Sequence, residues 1–121
     1  MKKALLVEDN FEDIKEIIEV LKSDFELCIE KDIDAAWSKI EDSSDFDVFI
    51  LDYWIGDKTG LELTRKIRSI DGYKKHPILI YSSESDPEIR TKARNLNAFW
   101  LVKPINPVPF KSVIEKMIAA K

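Results

Sequence analysis

Cysteine, histidine and glycine are scarce in this chain, and each scarcity excludes a class of site. With one cysteine, Cys28, and one histidine, His76, among 121 residues, the chain cannot form an internal disulfide or a site of several sulfur and imidazole ligands. Only three glycines occur, and no Gly-x-Gly-x-x-Gly, zinc or helix-turn-helix pattern is present. We interpret Cys28, which lies in an alternating apolar run, as a small buried side chain in a reducing compartment.

Long hydrophobic runs are missing as well. Uninterrupted apolar stretches span only a few residues, and the first three residues lead into a strand-like segment without a signal region. Hydrophobic residues make up 45% of the chain and charged residues 35%, a balance typical of a folded domain and not of a disordered one. We therefore expect one domain over residues 1–121, in the cytoplasm and without membrane insertion.

The net charge of −4 is distributed unevenly along the chain. Residues 1–57 carry seventeen acidic and six basic side chains, a net charge of −11, whereas residues 58–85 and 86–121 have net charges of +3 and +4. An acidic half of this kind disfavours non-specific binding to nucleic acid, so we expect no direct DNA binding. Most of the charge is interpreted as solvated helix surface.

The hydrophobic periodicity changes repeatedly between strand-like and helix-like. It predicts five short strands near residues 3–7, 25–29, 48–51, 77–81 and 99–102. An amphipathic helix is predicted after each strand; the third runs from about Thr59 to Ile70, after a loop with Gly56 and Asp57. Five βα units favour a three-layer α/β domain with a parallel sheet in the flavodoxin-like strand order 2-1-3-4-5. The alternating second strand is then an edge strand.

The end of the third strand carries the candidate working group. Residues 47–52, Asp-Val-Phe-Ile-Leu-Asp, predict a strand buried on both faces that ends in the carboxylate of Asp52. On its own, Asp52 is equally well interpreted as a turn residue. Ligands in open α/β sheets bind at the carboxyl ends of strands. At that edge the other central strands would add four more side chains: Glu8, Asp9, Ser82 and Lys103.

These strand ends together offer the groups that phosphoryl transfer needs. Crowded carboxylates repel each other unless a cation binds among them, and oxygen ligands without His or Cys suit Mg²⁺. A carboxylate beside a metal can attack phosphorus, while a lysine and a hydroxyl neutralise or hydrogen-bond the phosphoryl oxygens. Taken singly, Glu8-Asp9 also fits a helix cap, Ser82 a turn and Lys103 a solvated side chain. Their combination favours one shared site.

Over essentially its whole length the chain resembles the receiver domain of two-component response regulators. The residues that carry the resemblance are Glu8-Asp9, Asp52, Gly60 eight residues after Asp52, Pro77-Ile-Leu-Ile-Tyr-Ser82 and Trp100-Leu-Val-Lys103-Pro104. The resemblance implies that Asp52 accepts a phosphoryl group from a sensor histidine kinase or phosphotransfer protein. It implies self-catalysed acceptance and loss of that group, and no other enzyme activity.

The resemblance also implies a ligand set and a switch. Asp9 and Asp52 would hold Mg²⁺, with Glu8 acting directly or through water and the Trp54 backbone carbonyl as a further ligand. Lys103 would pair with the acceptor carboxylate, and the Lys103–Pro104 bond would be cis. After phosphorylation, Ser82 would bond the phosphoryl group and the aromatic side chain of Trp100 would turn inward.

That switch would change the face formed by the fourth helix, fifth strand and fifth helix, to which a downstream protein binds. Four cations on this face favour an acidic partner: Arg90, Lys92, Arg94 and Lys111. A homodimer through the fourth helix is a further arrangement that the resemblance allows. With no second domain expected, the output is predicted to pass through a partner protein, which the sequence does not identify.

Some positions depart from the family pattern. Trp100 stands where Tyr or Phe is usual, and its larger indole brings an N–H that needs an acceptor. It keeps open an alternative function, a phosphorylation-independent binding module that retains the fold. Gly56 replaces a frequent proline, which predicts a more mobile loop. Trp54 and Glu84 are expected to flank the path of the water that hydrolyses the aspartyl phosphate, so Trp54 is predicted to slow hydrolysis.

Two enzyme classes fit the sequence poorly. A phosphatase of the haloacid dehalogenase type needs a second aspartate two residues after the nucleophile, where this chain has Trp54. A nucleotide-binding P-loop ending at Lys58-Thr59 needs glycine at positions 52 and 57, and both are aspartate. His76 precedes a proline at the start of the fourth strand and is interpreted as a surface residue, not as a phosphocarrier.

Overall fold

The structure, a computed structural model, describes residues 1–42, 45–83 and 86–120. Its main strands are β1 Lys2–Val7, β2 Phe25–Glu30, β3 Val48–Asp52, β4 Ile78–Ser82 and β5 Phe99–Val102. Its helices are α1 Lys15–Leu21, α2 Ile33–Asp42, α3 Gly60–Arg68, α4 Pro87–Asn95 and α5 Pro107–Ala120. The five strands form one parallel sheet in the order β2-β1-β3-β4-β5. The predicted flavodoxin-like topology is confirmed.

The sheet is the middle layer between two apolar clusters. Every residue of β3 and β4 is buried, because these strands are covered on both faces. One cluster joins β3 residues Phe49 and Leu51 to α2 and α3, and the other joins Val48 and Ile50 to α1 and α5. In β2, at the edge, only Phe25 is fully buried. The apolar and alternating patterns thus predict the central and edge positions correctly.

Side-chain caps fix where the helices begin. Thr59 accepts a hydrogen bond from the Glu62 N–H, and the Glu62 carboxylate accepts one from the Thr59 N–H, a capping box that starts α3 at Gly60. Asp86 caps α4 and Pro87 occupies its first position. The α3 helix ends at Arg68, two residues before the predicted end. A 3₁₀ turn at Phe11–Ile14 precedes α1 in the segment where the sequence predicts the first helix.

The segment after β3 differs from the predicted loop. Trp54–Ile55 pairs antiparallel with Lys58–Thr59, so the segment is a short β-hairpin with Gly56 and Asp57 in its turn. Gly56 has a φ of +64°, which glycine adopts without the steric cost that a β-carbon brings. The pairing satisfies backbone groups that an irregular loop would leave to water.

Arg68 ties together the end of the domain opposite the carboxyl ends of the strands. Its guanidinium donates to four backbone carbonyl oxygens, those of Leu96 at 2.7 Å, Tyr73 at 2.9 Å, His76 at 2.8 Å and Asn97 at 3.0 Å. These carbonyls belong to the connections that lead into β4 and β5. Half-buried at the end of α3, Arg68 therefore fixes both connections to one helix.

Three smaller observations bear on the sequence predictions. None of the described helices has the length and apolar character that crossing a membrane requires. His76 is half-buried, with its ring centroid 4.8 Å from that of Tyr73, at the end of the sheet away from Asp52. The Lys103–Pro104 peptide bond is cis, as the resemblance implies. Cys28 is half-buried, with its Sγ 3.8 Å from Glu30 Oε2.

Candidate functional site

The carboxyl ends of the central strands bring the predicted site residues together. Glu8, Asp9 and Asp52 each offer a carboxylate oxygen, and these oxygens lie within 4.8 Å of one another. The Lys103 ammonium, directly after β5, lies 3.3 Å from Asp52 Oδ1. The Asp52 side chain is 8% exposed and that of Lys103 is 29% exposed. The nearly buried Asp52 carboxylate is thus close to the Lys103 ammonium and also to two further acids.

Glu8 is buried and held by hydrogen bonds to both of its oxygens. The Tyr81 hydroxyl donates to Oε1 at 2.9 Å, and the Asn10 N–H donates to Oε2 at 3.3 Å. Burial, followed by a hydrogen bond and repulsion from Asp52, raises the pKa of Glu8 from 4.5 to about 8. Without a cation, Glu8 is therefore mostly protonated at neutral pH and hydrogen-bonds Asp52.

Asp9 is exposed and contacts the hairpin. Its Oδ2 accepts a hydrogen bond from the Gly56 N–H at 3.1 Å. A carboxylate with one oxygen on this amide keeps its remaining lone pairs for a further partner. The turn of the hairpin therefore orients Asp9 through Gly56, whereas β4 orients Glu8 through Tyr81.

Ser82 and Trp100 lie on neighbouring strands beside this cluster. Ser82 is 1% exposed, and its carbonyl oxygen accepts the Lys103 N–H at 2.8 Å. Trp100 is half-buried, with its ring centroid 5.6 Å from that of Tyr53, the residue after Asp52. Its indole N–H is buried and has no acceptor among the residues that the structure describes. The larger ring therefore packs against the core while only half-buried, and no described residue accepts its N–H.

Trp54 lies in the hairpin, two residues after Asp52. Its side chain is 51% exposed and meets the Tyr53 ring edge-on, at a centroid distance of 5.0 Å. Glu84, the other residue expected to flank the path of water, lies outside the described residues. The predicted effect of Trp54 on hydrolysis stays a prediction.

The donor set at this edge of the sheet fits Mg²⁺. The cluster offers carboxylate oxygens only, with neither sulfur nor imidazole, and Mg²⁺ binds through a few carboxylates while it keeps several waters. A divalent cation would also offset the burial and the repulsion from Asp52 that raise the Glu8 pKa. Glu8, Asp9 and Asp52 are the residues that would hold it.

Tyr81 is a site residue that the sequence interpretation missed. It was expected only as part of the fourth strand. Its hydroxyl contacts Glu8, and the Lys103 ammonium lies 5.3 Å from the centroid of its ring. Burial and the adjacent carboxylates raise the pKa of the Tyr81 hydroxyl well above its usual range, so the hydroxyl is the donor. One signal was available, since a buried tyrosine needs a partner for its hydroxyl.

The predicted partner face keeps two of its four cations without a carboxylate partner among the described residues. The Lys92 Nζ lies 3.9 Å from Glu88 Oε1, and the Lys111 ammonium pairs with Asp24 of the turn after α1. Arg90 and Arg94 are exposed on α4. Phe99 of β5 lines one groove with Arg90 and Arg94. Val102 of β5 and Val108 of α5 are further exposed apolar side chains. The face combines positive charge with apolar surface.

Comparison of the sequence with known proteins identifies chemotaxis proteins and two-component response regulators as relatives. Chemotaxis protein CheY1 of Helicobacter pylori is 30% identical over 84 residues, which cover 69% of this chain and 68% of that protein. The two-component response regulator ORR11 of Oryza sativa subsp. indica is 32% identical over 72 residues, which cover 59% of this chain and 49% of that protein.

Solved structures agree with this relationship. The chemotaxis protein CheY4 of Vibrio cholerae superposes with a TM-score of 0.87 at 29% identity, over 97% of this chain and 98% of that one. A CheY-like receiver domain protein from Methanospirillum hungatei JF-1 has a TM-score of 0.89 over 99% of this chain and 95% of that one. At 20% identity it shows the shared fold. The sequence profile of the response regulator receiver domain matches residues 4–115, and the chain belongs to this family of two-component signalling domains.

Proposed function

We propose that this protein is a phosphorylation-activated switch in which Asp52 accepts a phosphoryl group. The observation that carries the proposal is the placement of Asp52, nearly buried at a central strand end, 3.3 Å from the Lys103 ammonium and within 4.8 Å of two further acids. Residues 1–121 constitute one such domain in this proposal. Its chemistry is confined to accepting and losing its own phosphoryl group.

The donor is a phosphohistidine of a sensor histidine kinase or phosphotransfer protein. An Asp52 oxygen attacks phosphorus, the new O–P bond forms as the N–P bond breaks, and the histidine nitrogen leaves with the electron pair. The product is an aspartyl phosphate. Lys103 pairs with the carboxylate before transfer and with a phosphoryl oxygen after it.

The acids around Asp52 prepare this step. Glu8, Asp9, Asp52 and the Trp54 carbonyl would hold Mg²⁺, which when bound supplies positive charge to the phosphoryl oxygens. With the Glu8 and Asp52 charges compensated, Asp52 is available as a carboxylate nucleophile. The burial of Glu8 and Asp52 favours this arrangement because charges interact more strongly away from water.

The aspartyl phosphate adds about −1.5 to −2 charges, which need new hydrogen-bond donors. The Ser82 hydroxyl provides one such donor. The hydrogen bond from the Lys103 N–H to the Ser82 carbonyl oxygen keeps Ser82 beside Lys103, so that both side chains can contact the same phosphoryl group. Movement of Trp100 behind Ser82 then changes the face of α4, β5 and α5. Exposed Arg90 and Arg94 favour an acidic downstream protein at this face.

Incubation with Mg²⁺ and acetyl phosphate, followed by intact mass spectrometry, tests the proposal. We expect one phosphoryl adduct in the wild type, and none in Asp52→Asn or after chelation of the metal. If Mg²⁺ binds but no adduct forms, the protein is instead a phosphorylation-independent binding module. That alternative draws support from Trp100, whose ring packs beside Tyr53 at a centroid distance of 5.6 Å.

A further inference from the structure

The Tyr81 side chain connects two strands that are not neighbours. Tyr81 belongs to β4 and Glu8 follows β1, and β3 with Asp52 lies between these strands in the sheet. The Tyr81 hydroxyl nevertheless reaches Glu8 Oε1 at 2.9 Å. Tyr81 is 0% exposed, and its ring packs edge-on against Phe110 of α5 at 6.5 Å. Its position is therefore fixed by the core.

This contact is one of two hydrogen bonds that orient the Glu8 carboxyl group. The terminal torsion of a glutamate has a broad, two-fold preference, so hydrogen-bond donors decide where its oxygens point. Glu8 has one donor on each oxygen, the Tyr81 hydroxyl and the Asn10 N–H. Of the two, only the Tyr81 hydroxyl comes from a side chain anchored in the core. An oxygen that accepts this bond keeps a lone pair for a cation.

We propose that Tyr81 is a positioning residue that holds Glu8 in the orientation needed to bind Mg²⁺. The inference rests on the proposed function, because it concerns the same cation. Donors behind metal-binding carboxylates typically change metal affinity by about 10- to 100-fold when they are removed. The Tyr81 hydroxyl has this relationship to Glu8.

Tyr81→Phe isolates the hydroxyl, because phenylalanine keeps the ring that lies against Lys103 and Phe110. We expect the variant to bind Mg²⁺ about tenfold more weakly in calorimetric titration with MgCl₂. At saturating Mg²⁺, its rate of phosphorylation by acetyl phosphate should return to near the wild-type value. An altered Mg²⁺ requirement with an unaltered maximal rate distinguishes positioning of Glu8 from general damage to the fold.

Tyr73→Phe is the matched control. Tyr73 is also a buried tyrosine, and its hydroxyl accepts the Phe46 N–H at 3.2 Å, at the other end of the sheet. We expect this variant to lose stability without a change in Mg²⁺ affinity. In a Glu8→Gln background, Tyr81→Phe should have little further effect on Mg²⁺ affinity, because Tyr81 acts through Glu8.

The outcomes separate this inference from the proposed function. A wild type that neither binds Mg²⁺ nor accepts a phosphoryl group overturns the proposed function. A wild type that binds Mg²⁺, with a Tyr81→Phe variant that binds it equally well, overturns only the role of Tyr81. If Tyr81→Phe does not fold, Glu8→Gln carries the test: a Glu8→Gln variant that binds Mg²⁺ as tightly as the wild type overturns the inference, because Tyr81 acts through Glu8. Equal loss in Tyr73→Phe would likewise refute the inference.

Discussion

Replacing Gly60 with alanine places a methyl group where the structure has no room for one. A β-carbon built on Gly60 lies 2.4 Å from the Asp52 carbonyl oxygen and 3.3 Å from the Leu51 β-carbon. The Gly60 N–H also donates to the Tyr53 carbonyl oxygen at 2.7 Å, so the start of α3 is held directly against the end of β3. The atom in the way is backbone, which cannot rotate aside.

The size of the effect follows from this geometry. Contacts of a β-carbon below 3.0 Å essentially never occur, so α3 and the end of β3 must separate by about 0.6 Å or more. Overpacking of this kind costs about 1 to 3 kcal/mol, and the rigid neighbour places the expected loss of unfolding free energy at about 2 to 3 kcal/mol. At about 4 °C for each kcal/mol in a domain of this size, Tm falls by about 8 to 12 °C.

The other two glycines provide matched controls, measured by urea denaturation followed by circular dichroism. A β-carbon on Gly72 meets nothing within 4 Å and its φ is ordinary, so Gly72→Ala is expected to stabilise by about 0.4 to 1 kcal/mol. Gly56 also has open space but a φ of +64°, so Gly56→Ala is expected to cost about 1 to 2 kcal/mol. The three variants thus separate lack of space from backbone conformation.

Gly60→Ala should also slow phosphorylation of Asp52 by acetyl phosphate, because displacement of a reacting group by about 1 Å can cost about 100-fold in rate. Gly72→Ala should leave the rate unchanged. If Gly60→Ala and Gly72→Ala have the same unfolding free energy, the close approach of α3 to Asp52 does not limit residue 60, and the reasoning is wrong.

Two further predictions follow from buried charges. Because the pKa of Glu8 is about 8 in the folded protein and 4.5 ordinarily, its protonation stabilises the metal-free fold fully below about pH 4.5, and this contribution is lost as pH rises through 8. At about 1.4 kcal/mol for each pKa unit, the loss of unfolding free energy is at most about 5 kcal/mol. Urea denaturation in the presence of a chelator, between pH 5 and 8.5, should show this loss. Glu8→Gln should flatten the dependence of the unfolding free energy on pH. Arg68→Lys should cost about 2 to 3 kcal/mol, since one ammonium cannot serve four carbonyls. The exposed Arg65→Lys on the same helix should stay within about 0.5 kcal/mol, and equal costs for the two variants would contradict the role given to Arg68.

The sequence was sufficient to predict the sheet and most of the side chains that meet at the carboxyl ends of its strands. Apolar residues at every position but the last of β3 and β4, against alternation in β2, separate central strands from an edge strand before any contact is known. Because parallel strands end at the same edge, Asp52 and Lys103 could be placed together from strand order alone.

Contacts that depend on which way a buried side chain points were not predictable. A strand buried on both faces has no alternation, so nothing in the sequence tells that Tyr81 faces Glu8 and not the opposite layer. Arg68 resembles an ordinary cation in the last turn of a helix, because its carbonyl partners come from segments remote in sequence. The hairpin had a signal in Gly56-Asp57, but its strands of two residues are too short for a periodicity to identify.

The hydrogen bonds of Arg68 hold one end of α4 and so define the point about which this helix could tilt. The guanidinium holds Leu96 and Asn97, directly after the helix, so this end acts as the fulcrum. The helix has nine residues and is about 13 Å long, so a tilt of about 10° would carry its opposite end through about 2 Å. That opposite end, at Asp86 and Pro87, follows in sequence the strand that ends in Ser82. Such a tilt would change the direction in which the side chains of Arg90 and Arg94 point.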